Sequence, residues 1–222
     1  RAVLGIENQK GSPFNVQRSL HIPNLTFEEV REMFIWHERE SGQKVGQEVI
    51  ERLYYETKGQ PGLTCWFGEL LTEGWNQFQV RPDMPINMEL FEHAWAVAIS
   101  LLPNNNILNI ISKARQEPYK QTVLNLFGTK EKITFAYDKT DLNFLYMNGV
   151  IDVEQTADKK FYAKFPCPFI QKRLFNHFAD DIFDFIDDLY DPFEDLKPAI
   201  DDTSLNIRNI MKLYRSYLMK NR

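Results

Sequence analysis

Apolar residues near the start of the chain recur at spacings of three and four, the pattern of an amphipathic helix with one buried face. This first helix is predicted from Thr26 to about Arg39, with a break at Ser41-Gly42. Thr26 and Glu29 have the spacing of a capping box, in which each side chain accepts a hydrogen bond from the other residue's backbone amide. The positions predicted to be buried are Phe27, Val30, Phe34 and Ile35.

Two further helices are predicted after this one. The second runs from about Gln47 through Glu56, and Gly59 is expected to supply the left-handed residue that caps its C-terminus. Proline is favoured in the first turn of a helix, so Pro61 predicts a third helix, which ends near Gly74. The apolar positions of the second helix are Val49, Ile50, Leu53 and Tyr54.

The segment from Asn87 to about Phe175 predicts several helices followed by one β-hairpin. Its elements, in order, are helices Glu89–Leu101, Asn105–Gln116 and Tyr119–Phe127, a strand Lys132–Tyr137, a helix centred on Leu142–Leu145, and strands Val150–Glu154 and Lys160–Phe165. Helices followed by a single hairpin are typical of a winged helix. The predicted fold is therefore mainly α: a small helical domain, a winged-helix domain with a hairpin wing, and a C-terminal helical tail.

Charge is distributed unevenly along this tail. Residues 179–202 carry ten carboxylates and a single base, Lys197, whereas the last segment carries five bases and no acid. The split predicts an acidic helix followed by a basic one, pairing with each other or with a neighbour, or else two solvated helical faces. The net charge of −5 conceals this asymmetry.

Composition sets the class of protein. With 43% hydrophobic residues the chain can bury a substantial core, and no apolar run approaches the roughly 18 residues of a membrane span. Two cysteines, Cys65 and Cys167, are too few for a disulfide framework, so reduced thiols in a cytoplasm are the simplest interpretation. Both cysteines are predicted in the core. The tryptophans, also predicted there, are Trp36, Trp66, Trp75 and Trp95.

Candidate catalytic chemistry is sparse. The chain has no Walker A loop, the Gly-rich turn followed by Lys-Ser or Lys-Thr that holds nucleotide phosphates and Mg²⁺. The four histidines have no metal-ligand spacing, so no metal site is predicted. The chain begins at Arg1 without an initiating Met, directly before a strand-like segment at 2–6, which is expected for a piece of a larger protein.

The amino-acid sequences of three segments resemble those of the AAA-like ATPase-domain family of prokaryotes and, more broadly, of STAND-type P-loop ATPases. These segments are Gly11–Asn15, Ile22–Thr26 and Gly59–Glu73, and the sequences of Asn148–Asp152 and Pro168–Phe175 also resemble that family. The resemblance implies the end of a P-loop core at 1–25, a helical lid at 26–80, a winged helix at 87–178 and a tail at 179–222. Walker A and Walker B would precede Arg1, and longer relatives continue into a nuclease-like domain.

By this resemblance Gly59, Gln60 and Pro61 form the corner of the lid that faces the nucleotide. ATP or ADP with Mg²⁺ would bind the complete protein, and this piece alone is expected neither to hold nor to hydrolyse it. The alternative is a purely structural role, in which Gly59 caps one helix and Pro61 starts the next. Arg18 is a candidate arginine finger, because a guanidinium stabilises transferring phosphoryl charge. Glu7 and Asn8 are sensor candidates.

Nucleic-acid binding is the remaining functional alternative. A winged helix that reads DNA brings Arg, Lys, Asn or Gln to base edges, but the helix before the predicted wing is nearly neutral. Candidate contacts on and near the wing are Lys159, Lys160, Lys164, Lys172 and Arg173. The sequence leaves three functions open: an ATPase piece that relays nucleotide state, a DNA-binding module, and a protein-interaction scaffold.

Overall fold

The computed structural model describes residues 23–129 and 131–185, together with positions 200–201, 204–205, 210–212 and 214–215. These residues are mainly helical with small antiparallel hairpins, which confirms the predicted class. The first helices and strands are α1 Phe27–Ser41, α2 Gln47–Thr57, α3 Pro61–Thr72, β1 Gly74–Trp75, β2 Phe78–Gln79, α4 Met88–Ser100, α5 Asn105–Ala114 and α6 Tyr119–Gly128. The later ones are α7 Thr140–Met147, β3 Asp152–Gln155, β4 Phe161–Lys164, α8 Pro168–His177, α9 Ala179–Phe185, β5 Ile200–Asp201 and β6 Ser204–Leu205.

The ends of the first helices follow local sequence signals. The predicted capping box is present at α1, where Glu29 Oε2 accepts from the Thr26 amide at 2.7 Å and Thr26 Oγ1 accepts from the Glu29 amide at 3.2 Å. The predicted cap of α2 is wrong by one position, because Lys58 is the left-handed C-cap residue (φ 49°). Gly59 follows with φ 67°, so two consecutive residues adopt the left-handed conformation.

The hairpin lies where the sequence predicted it and is slightly shorter. Strands β3 and β4 pair antiparallel, with Asp152 opposite Lys164 and Gln155 opposite Phe161. The predicted strand Lys132–Tyr137 is reduced to a single bridge between Thr134 and Tyr162, flanked by two backbone hydrogen bonds of 2.9 Å each. This segment therefore adds a short third edge to the hairpin.

One continuous core connects the helices up to Ile182, which together form one compact unit. Phe67 of α3 is fully buried at its centre, 5.1 Å from Phe169 of α8 and 6.0 Å from Phe91 of α4 between ring centroids. Helix α2 also packs on α8. The segments assigned to a lid and to a winged helix share this core, and their assignment as family domains stays a prediction.

Two residues predicted in the core are exposed. Trp36 is 62% exposed and Cys65 is exposed, whereas Trp75 and Cys167 are buried as expected. Trp36 follows Phe34 by two residues, which is about 200° around the helix axis and therefore off the buried stripe. Trp66 and Trp95 are partly buried against the core.

The second unit comprises Phe183–Arg222. Strands β5 and β6 form a two-residue antiparallel pair within the segment predicted to be a helical tail, so helix does not extend through the whole tail. Positions 210–212 and 214–215 are helical. The first part of the proposed acidic helix is present as α9, Ala179–Phe185, and the other positions of the proposed acidic and basic helices lie outside the described residues.

No single helix in the described ranges has both the length and the apolar content of a membrane span. Helices α4 and α5 reach that length and composition only as a pair, across a bend of 44°.

Candidate functional site

The corner between α2 and α3 is fixed by close backbone contact. The Leu25 amide donates to the Gly59 carbonyl at 2.8 Å, and the Asn24 side-chain amide donates to the Lys58 carbonyl at 3.1 Å. A Cβ atom at Gly59 would overlap the Leu25 carbonyl oxygen. Glycine is required here both by the positive φ and by the lack of space.

Gln60 and Pro61 begin α3. Gln60 is the N-cap residue, and its Oε1 accepts from the Leu63 amide at 2.6 Å. Pro61 occupies the first turn, and both Pro61 and Gly62 are exposed. Beneath them, the buried hydroxyls of Thr57 and Thr64 lie 3.2 Å apart.

This geometry limits what the corner can do chemically. The Leu63 amide is used by Gln60 Oε1, the Thr64 amide donates to the Gln60 carbonyl at 2.9 Å, and Pro61 has no amide hydrogen. Among the described contacts, the first turn of α3 leaves one unpaired amide, that of Gly62. The corner therefore offers close backbone approach to a flat ligand, but no cradle of amides for phosphate.

Three of the predicted site residues lie outside the described residues. These are the sensor candidates Glu7 and Asn8 and the candidate arginine finger Arg18.

The lysines of the hairpin are exposed and intermixed with carboxylates. Lys159 is in the turn with φ 63°, Lys160 pairs with Asp158 at 3.2 Å, and Lys164 is exposed at the end of β4. The Asp158 carboxylate accepts hydrogen bonds, first from Thr156 and then from Lys160, which lower its pKa. Charge along the hairpin is nearly balanced.

Arg173 differs from its neighbour Lys172. Lys172 is exposed on α8, whereas the Nη1 of Arg173 donates to the carbonyls of Ala98 and Ile99 at 2.9 and 3.0 Å. These carbonyls are at the C-terminal end of α4, where the last four carbonyls of a helix have no partner within it. Burial lowers the pKa of Arg173. The structure thus gives Arg173 a role in helix capping that a surface patch for DNA does not require.

Helix α7, the predicted recognition helix, is mostly covered. Only Thr140 of its eight residues is exposed, and Tyr119 stacks on Phe144 with ring centroids 3.8 Å apart. Asn143, the residue best suited to read a base, has its Oδ1 buried without a hydrogen-bond partner among the described residues. This helix presents no exposed side chain of the kind that reads base edges.

Two concave surfaces were not predicted from the sequence. The α1–α3 groove is an apolar depression of about 520 Å³, lined by Met33, Phe34, Trp36, His37, Cys65 and Gly68. The α5–α8 cleft is a depression of about 440 Å³, lined by Ile99, Leu108, Ile111, Arg115, Arg173 and His177, with further polar residues. The sequence signal that could have indicated these surfaces is helical spacing, because the residues that line each depression recur every three or four positions along their helices.

Within the described ranges, no group of three or more His, Cys, Asp or Glu side chains is placed to hold a metal ion. No protein-family model, curated protein or solved structure matches this chain.

Proposed function

We propose that the chain is the lid and winged-helix part of an AAA/STAND-type P-loop ATPase, and that it relays nucleotide state to a partner or effector domain. The observation that carries this proposal is the α2–α3 corner, where a buried Gly59 leaves Pro61 and Gly62 exposed at the start of α3. In the complete protein a P-loop core would hold ATP or ADP with Mg²⁺. The corner would then contact the bound nucleotide through its backbone.

The contacts around the corner support a relay. Gly59 is joined to Leu25, which directly precedes the N-cap residue of α1, so a displaced corner would move the start of that helix. Gly62 lies in the first turn of α3, and the same helix places Phe67 against Phe91 and Phe169. A tightly packed core transmits displacement instead of absorbing it. Nucleotide at the corner would thereby bias the position of α8.

The region after α6 supports a winged helix that packs within the protein. It has α7 followed by the β3–β4 hairpin, with the segment around Thr134 as a third edge. Because α7 is covered, its expected role is to pack against neighbouring elements. The exposed lysines of the hairpin favour DNA binding because they attract phosphate, whereas the carboxylates between them oppose it.

A substitution at Gly62 tests the nucleotide contact without disturbing the fold. A Cβ at Gly62 meets only ordinary van der Waals contacts, so Gly62→Ala is compatible with the structure. Gly68→Ala is the matched control, because it adds the same methyl group to α3 where no atom lies within 4 Å. Both replacements should preserve or raise helix stability.

The measurement is ATP affinity, by fluorescence of a labelled ATP analogue, in the protein extended upstream to include the P-loop core. Gly62→Ala is expected to weaken binding about tenfold, equivalent to about 1.4 kcal/mol. Gly68→Ala should bind as the unsubstituted protein does. Absence of ATP binding in the extended protein, or equal affinity of the two variants, would reject the proposal.

A non-enzymatic protein-interaction module is the second candidate, favoured by the α1–α3 groove. Met33 and Trp36 are 37% and 62% exposed beside it. Apolar side chains grouped around an exposed groove often mark a protein contact. Under this candidate the extended protein binds no ATP, and light scattering over a concentration series shows self-association that Trp36→Ser abolishes. A monomer that behaves identically with and without the substitution would count against this candidate.

The DNA-binding version of this second candidate is tested by fluorescence anisotropy with a short duplex at two salt concentrations. Phosphate contacts make binding steeply salt-dependent. Replacing Lys159, Lys160 and Lys164 together by Gln should then abolish binding. If the unsubstituted chain does not bind the duplex even at low salt, the wing is not a DNA contact.

A further inference from the structure

The α5–α8 cleft is lined by both basic and apolar side chains. Arg115 at the end of α5 and Arg173 and His177 of α8 are its basic residues, and Leu108 and Ile111 of α5 contribute apolar surface. No carboxylate is among the described residues that line it. Its volume of about 440 Å³ is within the range of sites for small molecules, roughly 300 to 1,000 Å³.

Most of the donors that line the cleft are unpaired within the part of the chain that the structure describes. The side chains of Ser100, Ser112, Arg115 and Asn176 line the cleft and form no hydrogen bond to another described residue. Arg173 uses only Nη1 for the α4 carbonyls, so its Nη2 and Nε remain available as donors. Several donors that converge on one concave surface without a carboxylate among the described lining residues are suited to binding an anion.

The electrostatic balance in the cleft is positive. The cleft lies near the C-terminal ends of α4, α5 and α8, and each helix end contributes about half a negative charge. Arg115 and Arg173 contribute two full positive charges, which outweigh the helix ends. Asp181, the acid that acts electrostatically on His177, is itself paired with Lys120 at 2.6 Å.

The pKa of His177 responds to the same positive charge. Its pKa is lowered first by burial and then by the positive charge of Arg115, with Lys120 acting in the same direction. Among the described residues, Asp181 acts in the opposite direction. A histidine at this position is therefore disposed to accept or donate a hydrogen bond as a neutral ring, and a bound anion would favour its protonated form.

We propose that the α5–α8 cleft binds a small organic anion, in which a carboxylate or phosphate group is attached to an apolar body. The oxyanion group is held by Arg115, by the free donors of Arg173 and by Ser112. The apolar body lies against Leu108 and Ile111. This site is separate from the α2–α3 corner, so it does not depend on the proposed nucleotide function.

Three probes separate the contributions of charge and apolar contact. Phenyl phosphate and benzoate carry the two candidate oxyanion groups on the same ring, and benzyl alcohol carries the ring without charge. Binding is measured by chemical-shift changes in nitrogen-correlated NMR spectra of the chain. Either charged probe is expected to bind saturably at millimolar concentration, with the largest shifts at Ser112 and His177, and the tighter one identifies the anion class.

Matched variants locate the site. Arg115→Gln removes the exposed arginine of the cleft and is expected to weaken the charged probe about tenfold, the effect of losing one charge-assisted contact. Arg81→Gln makes the same change at an exposed arginine that does not line the cleft, and affinity should be unchanged. Leu108→Ser should weaken phenyl phosphate while leaving the weaker binding of inorganic phosphate as it is.

The proposal is overturned if neither charged probe binds saturably, or if benzyl alcohol binds as tightly as they do. It is also overturned if Arg115→Gln and Arg81→Gln bind the charged probe equally, or if the shifts are centred on another part of the chain.

Discussion

The carbonyl oxygen of Leu25 occupies the position that a side chain on Gly59 would need. The two residues are also joined by a hydrogen bond of 2.8 Å from the Leu25 amide to the Gly59 carbonyl. The chain entering α1 is thereby held against the turn between α2 and α3. Because the contact is between backbones, side-chain rotation cannot relieve any bulk added there.

Gly59→Ala should therefore be strongly destabilising. It combines the cost of a left-handed alanine, about 1 to 2 kcal/mol, with a clash that must separate Leu25 from the turn. We expect a loss of about 3 kcal/mol in the free energy of unfolding, measured by urea denaturation. Gly42→Ala is the control, because Gly42 has φ 74° but no atom within 4 Å of its added Cβ. Equal losses for the two variants would show that the Leu25 contact contributes nothing.

Arg173 should contribute to stability through the carbonyls of α4. Replacing it by Met keeps an unbranched apolar stem but removes the guanidinium, so the carbonyls of Ala98 and Ile99 lose their charged donor. The expected loss is about 2 kcal/mol, the cost of leaving partly buried acceptors unpaired. Lys172→Met, on the same helix but exposed, should change the free energy of unfolding by no more than about 0.5 kcal/mol. A similar small effect for both variants would contradict the capping role.

Local signals account for the elements that were predicted well. The capping box of Thr26 and Glu29, the first-turn Pro61 and the hairpin strands each depend on residues close together in sequence. The left-handed Lys58 was missed because lysine carries no preference for that conformation. Lys58 adopts the left-handed conformation at the turn where Gly59 must approach Leu25, a contact between residues 34 positions apart in the sequence.

The concave surfaces were missed for a related reason. Trp36 was assigned to the core from its residue type, although its spacing from Phe34 places it off the buried stripe. The α5–α8 cleft requires side chains from three helices, and the sequence contains no signal for which helices are neighbours. Charge in the sequence pointed to Arg173, but only the structure pairs it with the end of α4 and places it beside Arg115 and His177.

The ion pair of Arg52 and Glu56 on α2 provides a third prediction. The nitrogen and oxygen are 2.9 Å apart, and the Glu56 side chain is only 5% exposed while that of Arg52 is 49% exposed. Arg52→Ala leaves a buried carboxylate without its partner and should cost about 2 kcal/mol, less than a fully buried pair because water reaches the arginine.

A double-mutant cycle separates the interaction between Arg52 and Glu56 from the other contacts of each residue. Adding Glu56→Gln to Arg52→Ala should recover about 1 kcal/mol, because the uncompensated charge is removed. The pair of Arg31 and Glu28 on α1 is the control: both side chains are exposed, and Arg31→Ala should cost less than about 0.5 kcal/mol. Additive effects at Arg52 and Glu56 would mean that the buried pair is not coupled.

The thiol of Cys167 should make the protein less stable at alkaline pH. Burial, reinforced by the Glu56 carboxylate, raises the pKa of Cys167 from 9.0 to about 11. Above pH 9 the unfolded chain loses this proton while the folded chain keeps it, so ionisation favours the unfolded state. The contribution of the protonated Cys167 thiol to stability is fully present below pH 9 and is lost as pH rises towards 11. The free energy of unfolding decreases by about 2 kcal/mol over this range.

Urea denaturation at intervals from pH 8 to 11 measures this loss, and two variants isolate its source. Other groups also titrate in this range, but their contribution is shared by all variants. Cys167→Ala should therefore show a shallower decline than the unsubstituted protein, whereas Cys65→Ala, at an exposed thiol, should show the same decline. Parallel declines for the unsubstituted protein and Cys167→Ala would mean that this thiol ionises equally in the folded and unfolded states.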